Sequence, residues 1–264
     1  MDMRECLTVA KDAAFQAGKM LKENSCTPGE IHYKGAVDLV TDFDKRAQDI
    51  IFKCLFDHFP DFDFLAEENL KKEKGSEFCW IIDPIDGTTN YAHNFPVFCV
   101  SIALAFRKEP KLGVIYDPMR EEMFTAVKGQ GAVLNDKGIR VSSVGELDKS
   151  LLSTGFPYDL RESRANNFDH FFNFARRAQG IRRGGSAALD LCYVACGRFD
   201  GFWELKLQPW DVAAGRVIVF EAGGRISDFQ NMESGLSAKE TLATNGLIHE
   251  QMVNILKMGL SLTQ

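Results

Sequence analysis

The stretch Trp80-Ile81-Ile82-Asp83-Pro84-Ile85-Asp86-Gly87-Thr88-Thr89-Asn90 constrains the chain more than any other. Trp80 to Ile82 is a short apolar run bounded by turn chemistry, which predicts a buried strand. It ends in two acids, Asp83 and Asp86. Pro84 between them has a fixed φ and no N–H, so the chain is expected to turn sharply there rather than extend a ladder. Gly87 then leads into Thr88, Thr89 and Asn90, residues that start and cap a short helix. Two carboxylates at the carboxyl end of a strand offer oxygen ligands to a hard divalent cation. The adjoining helix N-terminus offers N–H groups to a phosphate. An isolated Asp-Pro-x-Asp-Gly also fits an ordinary turn, so the remaining chain has to decide between turn and metal site.

With 264 residues the chain can bury a full core, as one large domain or two small ones. The net charge is −6 with Lys and Arg scattered, which gives no basic face for nucleic acid. The seven cysteines are dispersed without Cys-x-x-Cys spacing, which reads as buried thiols of a reducing compartment, not disulfides or a zinc site. The N-terminus lacks a signal-peptide apolar region. The longest apolar run, Phe95 to Phe106, is too short for a membrane span. The expectation is a cytoplasmic protein. Walker, Rossmann and His-Glu-x-x-His motifs are absent, which removes the commonest nucleotide-cofactor and zinc readings.

Helical spacing of Leu7, Ala10, Ala14, Ala17 and Leu21 predicts an amphipathic helix over 3–24. A second helix is expected from Asp44 to Pro60, with Ala47, Ile51 and Leu55 inward. Phe62 to Ala66 reads as a strand. Val97–Phe106, Leu112–Tyr116 and Met123–Val127, joined by short turns, predict an antiparallel meander, and Asn135 to Gly138 a further hairpin. The polar stretch 142–150 suggests a connection between an N-terminal α+β half, 1–142, and a C-terminal α/β half, 143–264, in which strands and helices alternate. In that second half, helices are expected over 161–179, 186–196, 212–222 and 248–258, with strands at 151–154, 180–183, 199–205, 225–227 and 241–244.

Several other residues carry two readings each. Lys34, in a polar loop, is an ordinary solvated charge or a ligand. Asp44 suits a helix N-cap or a functional role. Glu67 and Glu68, at a strand end, are surface acids, or one of them binds metal. Gly184 to Ala188 opens a helix with small residues, either for tight packing or to let a ligand approach the backbone. Asp211 suits the first turn of a helix. Glu204 by itself reads as an exposed acid.

Taken together, these stretches resemble the inositol monophosphatase family of Mg²⁺-dependent, lithium-sensitive phosphomonoesterases over nearly the whole chain. The motifs that carry the likeness occur in order: Asp38-Leu39-Val40-Thr41 with Asp44, Ala66-Glu67-Glu68, Trp80 through Asn90, and Trp210-Asp211-Val212-Ala213-Ala214-Gly215. The resemblance implies a layered αβαβα sugar-phosphatase fold and, usually, a homodimer. It implies that Glu67, Asp83 and the carbonyl of Ile85 hold a first metal, and that Asp83, Asp86 and Asp211 hold a second. Glu67 also helps place a third ion and, with Thr88, the attacking water; Asp44 supports the Thr88 hydroxyl. By the same likeness Asp86 borders the substrate phosphate, and the Gly87 and Thr88 N–H groups hold it. Glu204 and Gly185-Ser186-Ala187 meet substrate hydroxyls, and Lys34 belongs to a mobile loop near the metals. Ala66 stands where the family usually has Gly.

The chemistry of the acids agrees. Four carboxylates in one cleft cannot all stay ionised without cations, and about two to three Mg²⁺ per subunit supply roughly four to six positive charges. The expected activity is hydrolysis of myo-inositol 1-phosphate or a similar small phosphorylated polyol. Family alternatives are fructose 1,6-bisphosphate, 3′-phosphoadenosine 5′-phosphate, histidinol phosphate and NADP. Some bacterial relatives bind the transcription machinery, so family analogy also offers a regulatory role. No membrane partner is expected.

Overall fold

The computed structural model describes residues 2–25, 31–33, 39–68, 71–233, 235–236 and 239–258. Lys34 and Asp38 lie outside them. The first helix, α1, spans Met3–Asn24, as its periodicity predicts. Asp2 caps it by accepting the Arg4 N–H at 2.8 Å, and small buried residues at Ala10, Ala13, Ala14 and Ala17 form its inner face. Strands β1 (Ile31–Tyr33) and β2 (Leu39–Thr41) make an antiparallel ribbon. The ribbon runs directly into α2, Asp42–His58. Asp44 is therefore not an N-cap but a first-turn residue, fully buried.

The larger sheet contains β3 (Asp63–Ala66), β4 (Lys71–Lys72), β5 (Phe78–Asp86), β6 (Cys99–Phe106), β7 (Glu109–Asp117), β8 (Glu122–Val127), β9 (Ala132–Leu134) and β10 (Lys137–Gly138). Its order is β10-β9-β8-β7-β6-β5-β3-β4. The expected meander is there, and β3 alone pairs parallel, with β5. One expectation is corrected. The strand does not end before Pro84 but continues to Asp86, and the ladder with β6 shifts register between Asp83 and Asp86. An irregularity of this kind is where a strand tolerates a residue without an N–H. It places Asp83, Ile85 and Asp86 together at the strand end. The short α3, Thr88–Ala92, follows at once.

The second sheet contains β11 (Leu151–Thr154), β12 (Gly180–Arg182), β13 (Gly201–Leu205), β14 (Arg225–Ser227) and β15 (Glu240–Thr244), in the order β12-β11-β13-β15-β14. It alternates with α4 (Phe168–Ala175), α5 (Ala187–Ala195), α6 (Pro209–Glu221) and α7 (His249–Leu256). The helix expected over 161–179 is shorter. Residues 159–162 form turns, and Asn167 at φ 75° sets the start of α4. α6 begins earlier than expected, with Pro209 at its first position, where the missing N–H costs nothing.

Three buried clusters explain the layering. α1 and α2 pack on one face of the larger sheet through Leu21, Ile51, Leu55, Trp80 and Val114. α5 and α6 fill the space between the sheets, with Leu191 and Ile218 against Ala103, Ile115 and Phe202. α4 and α7 cover the far face of the smaller sheet through Phe174, Trp203 and Met252. The result is the αβαβα sandwich that the resemblance implies. No helix of the described residues is long and apolar enough to cross a membrane.

Candidate active site

The carboxyl end of β5 opens into a cleft of about 460 Å³. Five chain segments converge on it: the end of β3 with Glu67, the β5–α3 junction, residues 155–159 after β11, the start of α5, and the segment from the end of β13 to the start of α6. Glu67 is carried beside β5 by its own N–H, which donates to the Ile82 carbonyl at 3.3 Å.

Asp83 is buried, and its Oδ1 accepts the Ile85 N–H at 3.1 Å. Burial holds its pKa well above the carboxylate range, and Glu67, Asp86 and Asp211 raise it further. Glu67 lies close enough to share a hydrogen bond with it. Asp86 is also raised by burial, but here donors resist the shift. Its Oδ2 accepts the Ser186 hydroxyl at 2.5 Å and the Ala188 N–H at 2.7 Å, so the first turn of α5 faces this carboxylate. Cys99, opposite Asp86 in the ladder, brings its thiol to 3.8 Å. Asp211 keeps a structural duty as the third residue of α6, where its Oδ2 accepts the Gln208 N–H at 2.7 Å in a capping box. Burial, and then Asp86, raise it well above normal.

Thr88 opens α3 after Gly87, whose φ is 99°. A Cβ at Gly87 would meet the Val97 carbonyl oxygen at 2.9 Å, so the turn requires glycine twice over. The Thr88 hydroxyl shares its one hydrogen between Asp44 Oδ1 and the Ile85 carbonyl, each at 3.0 Å. This links α2 to the β5 terminus and gives the buried Asp44 its place.

Glu204 is not the exposed acid its isolated position suggests. It is half-buried at the cleft, and burial pushes its pKa up to about 8 against the pull of Arg183. Gly155 is a residue that sequence reasoning missed: a Cβ there would lie 2.1 Å from the Glu204 carboxylate. Asp190 is another, 3% exposed, lining the cleft, and raised by burial and by Glu204. An acid inside the otherwise apolar helix Ala187–Ala195 was the available signal. Gly185, at φ 85°, and Ala187 line the cleft beside Ser186. All expected site residues among those described therefore gather in one place.

As they stand, no three acidic, His or Cys side chains of the described residues close into a cage for an ion. The donor set nevertheless suits a hard divalent cation. It is all oxygen, and every leading influence on Asp83 opposes its charge.

The sequence profile of the inositol monophosphatase family matches residues 2–258. The chain is 46% identical over 253 residues to an inositol-1-monophosphatase of Synechocystis sp., covering 95% of this chain and 88% of the relative. It is 39% identical to the Nus factor SuhB of Escherichia coli, over 98% of each. A solved inositol monophosphatase from Anabaena superposes with a TM-score of 0.91 at 42% identity, over 99% of each chain. The chain thus belongs to the inositol monophosphatase family and is a phosphatase of that metal-dependent class.

Proposed function

We propose that the protein hydrolyses the phosphate monoester of a small polyol, myo-inositol 1-phosphate foremost, with Mg²⁺ as the cation. The observation that carries this is the crowding of Glu67, Asp83, Asp86 and Asp211 around one cleft, with Asp83 opposed by burial and by each of the other three. Glu67, Asp83 and the Ile85 carbonyl would hold one ion, and Asp83, Asp86 and Asp211 a second, with Glu67 bordering a third. Bound there, such ions supply the charge that acidifies water, polarises the phosphoryl oxygens and stabilises the leaving alkoxide.

The protein's own groups do the positioning that phosphoryl transfer chiefly needs. With its proton committed to Asp44 and Ile85, Thr88 Oγ1 has a lone pair left to accept a hydrogen from water. Glu67 receives the other and aims the water in line with the scissile bond. The N–H groups of Gly87 and Thr88, at a helix start and without intrahelical acceptors, hold the phosphoryl oxygens beside Asp86. Glu204, with Ser186 and the backbone of Gly185 and Ala187, accepts or donates hydrogen bonds to the hydroxyls of the alcohol. Water attacks directly, and no phosphoenzyme forms. On this reading residues 1–142 supply most cation ligands, 143–264 supply Asp211 and the alcohol contacts, and the working form is a homodimer.

Phosphate release from a panel tests this, with inositol 1-phosphate, fructose 1,6-bisphosphate, 3′-phosphoadenosine 5′-phosphate, histidinol phosphate and NADP each assayed in Mg²⁺ and in EDTA. Mg²⁺-dependent turnover highest on inositol 1-phosphate is expected. Release that persists in EDTA, or none from any ester, would overturn it. The likeness to a Nus factor favours a second role in binding the transcription machinery. An Asp86→Asn variant that loses hydrolysis but keeps a cellular phenotype would support that role.

A further inference from the structure

One wall of the cleft is a loop tied by a lysine to the end of β13. Residues 155–167 leave β11 and return to α4, and Phe156 to Asp159 line the cleft. The base of the loop is pinned. Asn167 Nδ2 donates to the Gly155 carbonyl at 2.6 Å and to Thr154 Oγ1 at 2.9 Å, and Trp203 Nε1 donates to Asn167 Oδ1 at 2.8 Å. Phe156 rests on Phe168 and Phe171, with ring centroids 5.3 and 5.8 Å away. The tip is tied from across the cleft. Lys206 Nζ reaches Asp159 Oδ1 at 2.8 Å, Asp159 Oδ2 at 2.6 Å and Ser163 Oγ at 2.8 Å.

Lys206 itself is unusual. It follows β13 directly, two residues after Glu204, at φ 62°, a conformation that L side chains seldom adopt. Its N–H donates to the Lys239 carbonyl at 2.6 Å, which fixes that backbone. Held so, the side chain crosses to the loop. An ammonium has three hydrogens, and Asp159 and Ser163 take them. Among the described residues lining the cleft, the other Lys or Arg is Arg183, whose charge acts on Glu204 and Asp190. The Lys206 charge is thus taken up by Asp159 at 2.6 Å, whereas Arg183 is exposed and acts on Glu204 and Asp190 only through space.

We propose that the Lys206–Asp159–Ser163 latch sets substrate specificity: it holds the 155–163 loop as the wall of the alcohol pocket and withholds the lysine charge, so the cleft takes the monophosphate of an uncharged polyol in preference to a bisphosphate. Lys206 is a positioning residue here, and the inference rests on the phosphomonoesterase reading above.

Two variants pull the two effects apart. Asp159→Ala frees the ammonium, so KM for fructose 1,6-bisphosphate falls by about fivefold or more while KM for inositol 1-phosphate rises. Lys206→Met releases the wall without freeing a charge, so KM for inositol 1-phosphate rises about tenfold, far more than kcat changes, and the bisphosphate gains nothing. The charge swap Asp159→Lys with Lys206→Asp restores the wild-type preference. Equal effects of both single variants on both substrates would overturn the proposal. Amide exchange in the substrate-free protein reads the latch without catalysis: both single variants should speed exchange across 157–163 by about tenfold or more, and leave 88–92 as it is. Unchanged exchange sinks the latch even in an active enzyme. Faster exchange in a protein whose wild type hydrolyses no ester supports the latch and overturns the phosphatase reading.

Discussion

The two sheets each bury a titratable site, and they treat it in opposite ways. Behind the smaller sheet, His249 is fully buried, with Thr244 Oγ1 at 2.9 Å from Nδ1 and Ser227 Oγ at 3.0 Å from Nε2. Thr244 also accepts the Gly246 N–H, and Ser227 donates to the Asp228 carbonyl. Those roles require Thr244 to donate to Nδ1 and Nε2–H to donate to Ser227. Every polar atom of the ring then has its partner, and burial, with Arg225, pushes the pKa down to about 4. At the end of the larger sheet, Asp83 is buried beside Glu67, Asp86 and Asp211, all of like sign. A group buried for the fold is satisfied from within. A group buried for chemistry is left short of something that must arrive from outside.

The sharpest way to break this contrast is Asp83→Asn. The amide keeps an oxygen for the Ile85 N–H but has no charge to offer a cation. Hydrolysis of inositol 1-phosphate should fall at least about 10³-fold. In EDTA the same variant should melt at or above the wild-type temperature, by up to about 2–4 °C, because a carboxyl opposed by burial and by three acids has been removed. A variant that loses stability in EDTA along with activity would place Asp83 with His249, as a group serving the fold.

This contrast was only half visible in the sequence. α1 could be drawn to its end residues because its apolar repeat is local, and the meander because its turns are short. Glu67, Asp83, Asp86 and Asp211 were legible because all four sit in three compact motifs whose residue types have few other uses together. What failed depended on contacts between distant residues. The strand continues past Pro84 because the ladder with β6 shifts register there. Asp44 lies inside the helix because β2 feeds straight into it. Gly155 is required by the carboxylate of Glu204, and Lys206 meets Asp159 from 47 residues away. Asp190 drew no reading from the sequence, because its burial follows from the packing of α5 between the sheets.

His249→Leu tests the satisfied side. It removes the acceptor of the Thr244 hydroxyl and the donor to Ser227, while each hydroxyl keeps one other partner. The expected cost is about 1–3 kcal/mol, read from urea unfolding. Turnover per folded molecule should not change, since α7 does not reach the cleft. A loss of kcat without a loss of stability would show that His249 is coupled to the site.

The smallest expected effect sets both regions on one axis, pH. Asp83, Asp86 and Asp211 are raised, and Glu204 is raised to about 8. Between the ordinary carboxylate range near 4 and those values, the folded metal-free protein holds protons that the unfolded chain has released, so its stability falls as pH rises. His249 works in the other direction. Its folded pKa, about 4, lies below the ordinary value near 6.5, so the stability it contributes is complete above that value and is lost as pH falls toward 4. The melting temperature in EDTA should therefore decline on both sides, with different owners for the two limbs. On the proposed reading Mg²⁺ would replace the missing protons at the acids and would not act on the histidine. Saturating Mg²⁺ should raise the melting temperature by about 2–4 °C more at pH 8 than at pH 5, and His249→Leu should flatten the acid limb alone. Equal Mg²⁺ gains at both pH values would mean that the cation does not bind through the raised carboxylates, and the two buried sites would lose the difference drawn between them.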